Sequence, residues 1–216
     1  MVRKIERRDS DTRDRILAAS MALIVADGSV NLRMADVAET ATVGVPTIYY
    51  YFSSRENLVA AAQAERMHHL LDGDRALLDQ LRLHLENKDL EAWLVTSDML
   101  SGHYWGEVVT EFVWEIIEIL ADIRREEQVR IEVGAVIKEA LEFRAETFRM
   151  AQKNGWADET IDPLSWVTYF FGATLGQVIS DLHPDLKADA EGATRLRMRM
   201  HSQAFSEEAL TSTQRG

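Results

Sequence analysis

Apolar residues recur every three to four positions over most of this chain, which is the period of an α-helix. Between residues 105 and 128 they form one wide stripe, with Glu and Asp on the opposite side. Short breaks separate the helical segments near 72–73, 87–89, 101–102 and 154–163. The run 195–200 alternates as a strand would, but its surroundings favour a helix with Leu196 and Met200 inward. The pattern therefore predicts an all-α protein.

The first 66 residues carry the patterns of four helices joined by short turns. We expect these helices at about residues 12–27, 32–41, 46–52 and 54 onward, begun by Asp11 or Thr12, by Asn31, by Pro46 in a first turn, and by Ser53 or Ser54. Gly28 suits the left-handed position that ends the first helix. Two short helices joined by a tight turn, the second exposed and rich in tyrosine, are typical of a helix-turn-helix DNA reader.

The charge distribution suits a nucleic-acid partner only near the N-terminus. The chain carries 24 Lys and Arg against 36 Asp and Glu, a net charge of −12. Residues 1–66 hold nine of each sign, so the whole deficit lies in residues 67–216. Basic residues outnumber acids over the first fifteen positions, where they are Arg3, Lys4, Arg7, Arg8, Arg13 and Arg15. We therefore expect any phosphate-facing surface at this end.

The composition weakens the case for an enzyme. The chain has no cysteine, so disulfides, thiolate catalysis and Cys-based metal sites are impossible. Its six histidines show no metal-binding spacing, and no nucleophile with a nearby base or Gly-rich phosphate loop is visible. We expect no catalytic residue, metal or cofactor. No apolar run reaches 18 residues and the N-terminus has no apolar h-region, which predicts a soluble, cytoplasmic protein.

The stretch from Thr12 to Ala62 resembles the DNA-binding segment of the TetR/AcrR (tetracycline-repressor-like) family. The resemblance rests on TRDRILAASMALIVADG, ADVAETATVGVPTIYYYF and SSRENLVAAA, in the family's order and spacing. It implies an N-terminal three-helix helix-turn-helix DNA-binding domain and a C-terminal helical domain for ligand binding and dimerisation. We expect these over residues 1–56 and 57–205, with a disordered tail at 206–216.

The resemblance places the DNA contacts on and beside the third, recognition helix. It implies that Thr47, Tyr49 and Tyr50 donate hydroxyl hydrogen bonds to phosphates, and that Thr47 can also reach a base edge or a thymine methyl. Arg55, at the start of the fourth helix, would hold a phosphate together with the helix N-terminus. Arg33, near the start of the second helix, is a further candidate for a phosphate or base contact.

Three positions depart from the family pattern. Thr42 stands where the turn glycine is common, Gly44 where a serine cap is frequent, and Val45 where Lys or Arg is frequent. Apolar or backbone contacts with DNA remain available at Val45 and Pro46.

The Tyr-Tyr-Tyr-Phe run of the recognition helix has an alternative role, because aromatic residues also pack small cores. At helical spacing Ile48, Tyr51 and Phe52 share a face that can turn inward, whereas Thr47 and Tyr50 share another. We therefore expect the first three in the core and the last two towards DNA.

The segment 163–179 is apolar on every side, so one protomer would struggle to cover it. Gly172 and Gly176 stand one turn apart within it, where each costs roughly 1 kcal/mol relative to Ala. Close approach of another helix explains that cost, and the helix could come from the same chain or from a second copy. We favour an intersubunit four-helix bundle, the family's arrangement, with contacts from Phe143, Trp166, Phe170, Gly172 and Gly176.

Aromatic residues accumulate in the second domain, and ligand pockets between helices are typically lined by aromatics. We predict that His103, Tyr104, Trp114 and Gln177 line such a pocket, although packing or exposure is the commoner role of such residues. A cationic or neutral apolar effector is favoured over an anion, because few basic residues lie near the aromatic clusters. The acidic side of residues 105–128 has two interpretations, a solvated helix face, which we favour, or an attractive surface for a cation.

These features predict a ligand-responsive regulator, a repressor in our interpretation, that binds a near-palindromic double-stranded operator as a homodimer and has no membrane partner. An activator built from the same parts would share them. The alternative is a helical protein-interaction or ligand-binding module that has lost DNA binding, suggested by Gly44, Val45 and the acidic total.

Overall fold

A computed structural model of the chain describes residues 2–103, 109–186 and 189–212. Within those ranges the one strand-like feature is a bridge between Ala157 and Phe205, and the all-α prediction is confirmed. The helices are α1 (Val2–Asp27), α2 (Met34–Ala41), α3 (Val45–Tyr51), α4 (Arg55–Leu71), α5 (Arg75–Asn87), α6 (Leu90–His103), α7 (Val109–Ile123), α8 (Glu127–Lys153), α9 (Pro163–Leu175), α10 (Ala190–Ser202) and α11 (Glu207–Ser212). Shorter 3₁₀ segments lie at Ser29–Asn31, Gly176–Asp181 and Pro184–Leu186.

The chain divides into two compact units that differ from the predicted domains. The first unit comprises Met1–Leu70 and Glu118–Ile137, and the second comprises Leu71–Ile117 and Lys138–Gly216. The predicted boundary at residue 56 therefore falls inside the first unit. That unit also takes in a segment from the middle of the chain, which contains the end of α7 and the start of α8.

The core of the first unit draws at least one fully buried aliphatic side chain from each of its first four helices. These include Ile16 of α1, Val37 of α2, Ile48 of α3 and Leu58 of α4. Helices as short as α2 and α3 are marginal by themselves, so their stability comes from this shared burial.

Aromatic packing organises the core of the second unit. The Trp93 ring of α6 lies 5.6 Å from that of Trp156 and 5.3 Å from that of Phe205. Beyond Phe205 the sequence predicts disorder, but α11 forms there and its Ala209 is buried against the same cluster. The disorder prediction is wrong for residues 207–212, because a small apolar residue completes a core whose other members lie far away in sequence.

Several helix ends follow the sequence signals. Gly28 adopts a φ of 80°, as predicted for the residue after α1. The Ser54 hydroxyl accepts the backbone N–H of Asn57 and caps α4, and the Asp162 carboxylate accepts that of Ser165 and caps α9. Asn31 does not cap α2 as predicted; its amide instead donates to the Asp27 carbonyl at the end of α1.

Other helix bounds differ from the predictions. α1 begins at Val2 rather than near Asp11, because no helix breaker interrupts residues 2–10. α6 continues through the predicted break at 101–102, where Ser101 is buried. α9 ends at Leu175, and the chain continues from Gly176 as a 3₁₀ segment. Among the described residues, no helix combines the length and apolar character needed to cross a membrane.

Candidate nucleic-acid interface

The turn between α2 and α3 is built around a residue in the left-handed conformation. Thr42 ends α2 with φ 55° and ψ 52°, and the next residue, Val43, donates its N–H to the Ala38 carbonyl at 2.9 Å. Gly44 then precedes α3 in an extended conformation. The chain therefore makes the turn with a β-branched residue at the position where glycine is least strained.

The recognition helix α3 has one buried and one exposed face. Ile48 and Phe52 are buried, as predicted from their spacing. Tyr50 is 74% exposed and Tyr49 is 49% exposed. The side-chain hydroxyls of these two tyrosines are therefore available to a partner, and Thr47 between the two faces is half-buried.

The remaining candidates for DNA contact lie at the starts of α2 and α3. Arg33 is exposed and occupies the N-cap position of α2, without a side-chain capping bond. Pro46 is exposed in the first turn of α3, where a missing N–H costs nothing, and Val45 is half-buried beside it. We call Val45, Pro46, Thr47, Tyr49 and Tyr50 the α3 outer face.

Arg55 differs from these exposed candidates for DNA contact, because its guanidinium forms hydrogen bonds with other residues of the chain. Its Nε donates to the Leu32 carbonyl at 2.9 Å, and its Nη2 donates to the carbonyls of Ser29 and Val30. Its Nη1 lies 3.9 Å from Oε1 of Glu126. The side chain predicted to hold a phosphate thus contacts the α1–α2 connection and the α7–α8 connection.

Part of the acidic side of α7 also faces the protein. Asp122 is buried and accepts a 2.6 Å hydrogen bond from Nε2 of Gln63 on α4. The side-chain oxygen of Gln63, Oε1, accepts a hydrogen bond from Nη1 of Arg66. Nη2 of Arg66 lies 3.6 Å from the largely exposed Glu118. The prediction of a solvated face is therefore wrong for Asp122, because α4 offers it a hydrogen-bond donor.

Phe143, predicted at a dimer interface, packs within its own protomer. The guanidiniums of Arg75 and Arg82 on α5 lie 4.0 and 4.2 Å from the centroid of its ring. Such distances are typical of cation–π contacts. Phe143 therefore joins α8 to α5.

The other predicted interface residues lie on α9 and just beyond it. The rings of Trp166 and Phe170 are 4.5 Å apart, and Phe148 of α8 lies 5.8 Å from Trp166. A β-carbon placed on Gly172 or Gly176 would meet no atom within 4 Å. The described part of the protomer therefore supplies no close neighbour at either glycine. Leu164, Tyr169 and Ile179 are exposed apolar residues on the same segment.

The predicted pocket residues are only partly visible. Tyr104 and the side chain of His103 lie outside the described residues. Trp114 on α7 is 38% exposed, and Gln177 is half-buried in the 3₁₀ segment after α9.

Sequence reasoning missed a polar cluster between α6 and α10. Arg197 is buried, with its Nη1 2.8 Å from the Ser101 hydroxyl and 3.2 Å from the Asp98 carboxylate. The neighbouring Leu196, predicted to face inward, is exposed. The prediction is wrong because two polar partners on α6 make burial of the arginine favourable.

His201 belongs to the same cluster. Its Nε2 lies 3.0 Å from the Ser97 hydroxyl, and the rings of Phe170 and Phe205 pack on it. Burial lowers the pKa of His201 to about 4, and the nearby Arg197 acts in the same direction while Asp98 opposes it. The imidazole is therefore neutral at pH 7.

Residues 16–62 match the model of the family described as bacterial regulatory proteins, tetR family. No curated protein sequence matches the chain. A solved structure described as a TetR-family transcriptional regulator from Rhodococcus sp. is 24% identical, with a TM-score of 0.60 over 91% of this chain and 100% of that one. One so described from Mesorhizobium loti is 16% identical, with a TM-score of 0.64 over 90% and 94%. A transcriptional regulator from Saccharomonospora viridis, solved in complex with choline, is 19% identical, with a TM-score of 0.59 over 92% and 99%.

The sequence match covers α2, the turn and α3 together with about the second half of α1 and the first half of α4. The structural similarity extends over the rest of the chain and, at these identities, shows a shared fold. Residues 16–62 therefore match the N-terminal segment of the tetR family of bacterial regulatory proteins, and the chain shares the fold of solved TetR-family transcriptional regulators.

Proposed function

We propose that this chain is a ligand-responsive repressor that binds a near-palindromic operator as a homodimer. The observation that carries the DNA-binding part is the exposure of Tyr49 and Tyr50 on a helix whose opposite face is buried. An exposed aromatic pair on a short helix gains little in the isolated protein. It is suited to a partner that presents phosphate oxygens and base edges.

The α3 outer face supplies complementary contacts for a major groove. The hydroxyls of Tyr49, Tyr50 and Thr47 donate to phosphates, and Thr47 also reaches a base edge. Val45 and Pro46 offer apolar contact to thymine methyls. Arg33, exposed at the start of α2, supplies a cation for a neighbouring phosphate.

Dimerisation is supported by the open space at Gly172 and Gly176. Gly172 of α9 and Gly176 just after it meet no described atom of their own chain within 4 Å, which leaves room for a helix of a second copy. The exposed Leu164, Tyr169 and Ile179 add apolar surface that a second copy would cover. We assign α8 and α9 of both copies to a four-helix bundle, to which Trp166 and Phe170 contribute.

The ligand would act by favouring one arrangement of the two recognition helices over another. Helices about 34–36 Å apart fit successive major grooves, and a ligand that prefers a different spacing weakens DNA binding by the same factor by which DNA weakens the ligand. The choline complex of the S. viridis regulator supports a cationic effector. His103, Tyr104, Trp114 and Gln177 remain our proposed lining residues.

The DNA-binding proposal is tested by selection of duplexes from a randomised library with the purified protein. We expect enrichment of two-fold symmetric sequences whose half-sites are about 10 base pairs apart, centre to centre. The affinity for an enriched duplex should fall steeply with salt. A helical interaction module without DNA binding would enrich no sequence.

The ligand proposal needs a separate test. Choline and a panel of cationic and neutral apolar compounds are screened by thermal shift, and each compound that stabilises the protein is then added to a titration of the enriched duplex. We expect at least one to weaken DNA binding. Stabilisation without any change in DNA affinity contradicts sensing, because a ligand shifts an equilibrium only by its differential affinity for the two states. A reporter gene downstream of the enriched duplex distinguishes repression from activation.

A further inference from the structure

Arg55 makes contacts that suit a different role from holding a phosphate. A guanidinium has five N–H donors in a rigid fork. Nitrogens on both branches of this fork face protein acceptors, which are the carbonyls of Ser29, Val30 and Leu32 and the carboxylate of Glu126. The side chain is only 28% exposed. The Nε and Nη2 donors are bound by the three carbonyls, and Nη1 lies on the side of Glu126.

The three carbonyls belong to the connection that leads into α2. Leu32 is buried, and the next residue, Arg33, is the N-cap of α2. A side chain that binds the carbonyls on both sides of Asn31 therefore fixes the direction in which α2 starts. Because α2 ends at the tight turn around Thr42, the position of α3 depends on the same anchor.

The fourth partner lies on the connection between α7 and α8. Glu126 stands four residues after Asp122 and eight after Glu118, so the three acids lie along one side of the chain. Glu126 faces Arg55, Asp122 faces Gln63, and Glu118 faces Arg66. The acids therefore run antiparallel to their partners on α4. The Arg55–Glu126 contact is thus the end of a polar row that holds α4 along the last turns of α7.

This end contact is looser than the middle of the row. The Gln63–Asp122 bond is 2.6 Å long, whereas Nη1 of Arg55 lies 3.9 Å from Glu126, outside hydrogen-bond distance. The other oxygen of Glu126, Oε2, is buried and has no hydrogen-bond partner among the described residues. A small movement of the α7–α8 connection towards α4 would turn this contact into a direct hydrogen-bonded ion pair, and a movement away would release it.

We propose that Arg55 is a positioning residue for operator binding, which holds the entry of α2 and links it through Glu126 to the α7–α8 connection. This inference rests on the proposed DNA-binding function. α7 and α8 both continue along the chain into the second unit, so a change that shifts their connection reaches the recognition helix through this pair. Arg55 acts on DNA through α2 and α3, without a phosphate contact of its own.

The two roles of Arg55 predict different results for three substitutions. The test titrates the enriched duplex with the full-length wild-type protein and each variant over a salt series. In a positioning role, Arg55→Lys cannot reach the four acceptors with one ammonium, and affinity falls about tenfold. Glu126→Gln also lowers affinity, several-fold, and Arg55→Ala lowers it with an unchanged salt slope. In a phosphate-contact role, Arg55→Lys retains most of the affinity, Glu126→Gln leaves it unchanged or raises it, and Arg55→Ala reduces the slope by about one contact.

Glu127→Gln is the matched control, because Glu127 is an exposed neighbour of Glu126 that pairs with Arg130 instead. We expect it to retain wild-type affinity. Sedimentation and thermal melting verify that each variant keeps the oligomeric state and the fold. If Arg55→Ala does not fold, the affinities of Arg55→Lys and Glu126→Gln distinguish the positioning role from the phosphate-contact role.

The outcomes separate this inference from the proposed function. Loss of affinity in both Arg55→Lys and Glu126→Gln, with an unaltered slope, supports it. Wild-type affinity in Glu126→Gln, or a slope reduced by about one in Arg55→Ala, overturns it while leaving the DNA-binding proposal intact. Absence of any wild-type binding to selected DNA overturns both.

Discussion

Nε2 of Gln63 on α4 donates a 2.6 Å hydrogen bond to Oδ2 of Asp122 on α7, and both side chains are buried. The two residues are 59 positions apart in the sequence. A buried carboxylate is tolerated only where donors meet it, so this bond fixes how α7 lies against α4 within the first unit.

Gln63→Leu should destabilise the protein by about 1–3 kcal/mol, because it leaves the Asp122 carboxylate buried without this donor. The free energy of unfolding in urea measures the loss. Gln80→Leu, at an exposed position of α5, is the control and should change stability little. Adding Asp122→Leu to Gln63→Leu removes both polar partners and should recover part of the loss. Unfolding of Gln63→Leu at the wild-type midpoint would show that the bond contributes nothing.

Thr42→Gly should stabilise the protein by about 1 kcal/mol, since Thr42 adopts a left-handed conformation that glycine enters without a Cβ clash. Thr40→Gly, two residues earlier inside α2, should instead destabilise the protein, because glycine forms helices less well than threonine. Thermal unfolding distinguishes the two. Equal destabilisation by both substitutions would contradict the conformation described for Thr42.

The stability of the protein should depend on the protonation of His201. Its pKa is lowered from 6.5 to about 4 in the folded protein, mainly by burial. The unfolded chain therefore takes up a proton between pH 6.5 and 4 that the folded protein refuses. The free energy of unfolding is therefore at its full value above pH 6.5. It falls by about 3 kcal/mol as the pH drops from 6.5 to 4.

The measurement compares urea unfolding of the wild type and of His201→Gln at several pH values between 7 and 4. The wild type should lose stability relative to the variant as the pH falls. His183→Gln, at an exposed histidine, should follow the wild type. Parallel curves for the wild type and His201→Gln would place the pKa of His201 near its ordinary value.

The dimer proposal predicts that leucines at Gly172 and Gly176 force the paired helices apart. The double variant should sediment as a monomer or aggregate, whereas the wild type and Gln80→Leu should sediment as dimers at micromolar concentration. The open space around both glycines within the protomer means that the added side chains meet no described atom of their own chain. A monomeric wild type would contradict the dimer proposal. A dimeric double variant would show that the dimer forms through other residues than Gly172 and Gly176.

Local patterns in the sequence predict the helices well. The Ser54 cap, Gly28 after α1 and the buried side of α3 depend on residues within a turn or two of each other. Their physical causes, which are capping bonds, a left-handed backbone and helical spacing, are therefore visible in short stretches. This is why the α3 outer face can be predicted before the structure is known.

Polar contacts between distant segments could not be predicted in this way. The inward prediction for Leu196 is wrong because its neighbour Arg197 is buried instead, and Ser101, the partner of Arg197, lies 96 positions away. Arg55 looks like a free cation at the start of a helix until the carbonyls of Ser29 and Leu32 are seen beside it. Phe143 is predicted at the dimer interface because it is a large aromatic residue. The sequence does not show that two arginines of α5 lie over its ring.

The affinity of Tyr50→Phe for the selected operator tests the central claim most directly, because this substitution removes one hydroxyl from the more exposed tyrosine of the α3 outer face. Fluorescence anisotropy with the enriched duplex should show binding weakened about five- to tenfold, which corresponds to about 1 kcal/mol for one hydrogen bond. Gln80→Leu, at an exposed position of α5, should bind as the wild type does. Equal affinities for the wild type and Tyr50→Phe would contradict DNA recognition by the Tyr50 hydroxyl, and failure of the wild type to bind any selected duplex would contradict the account as a whole.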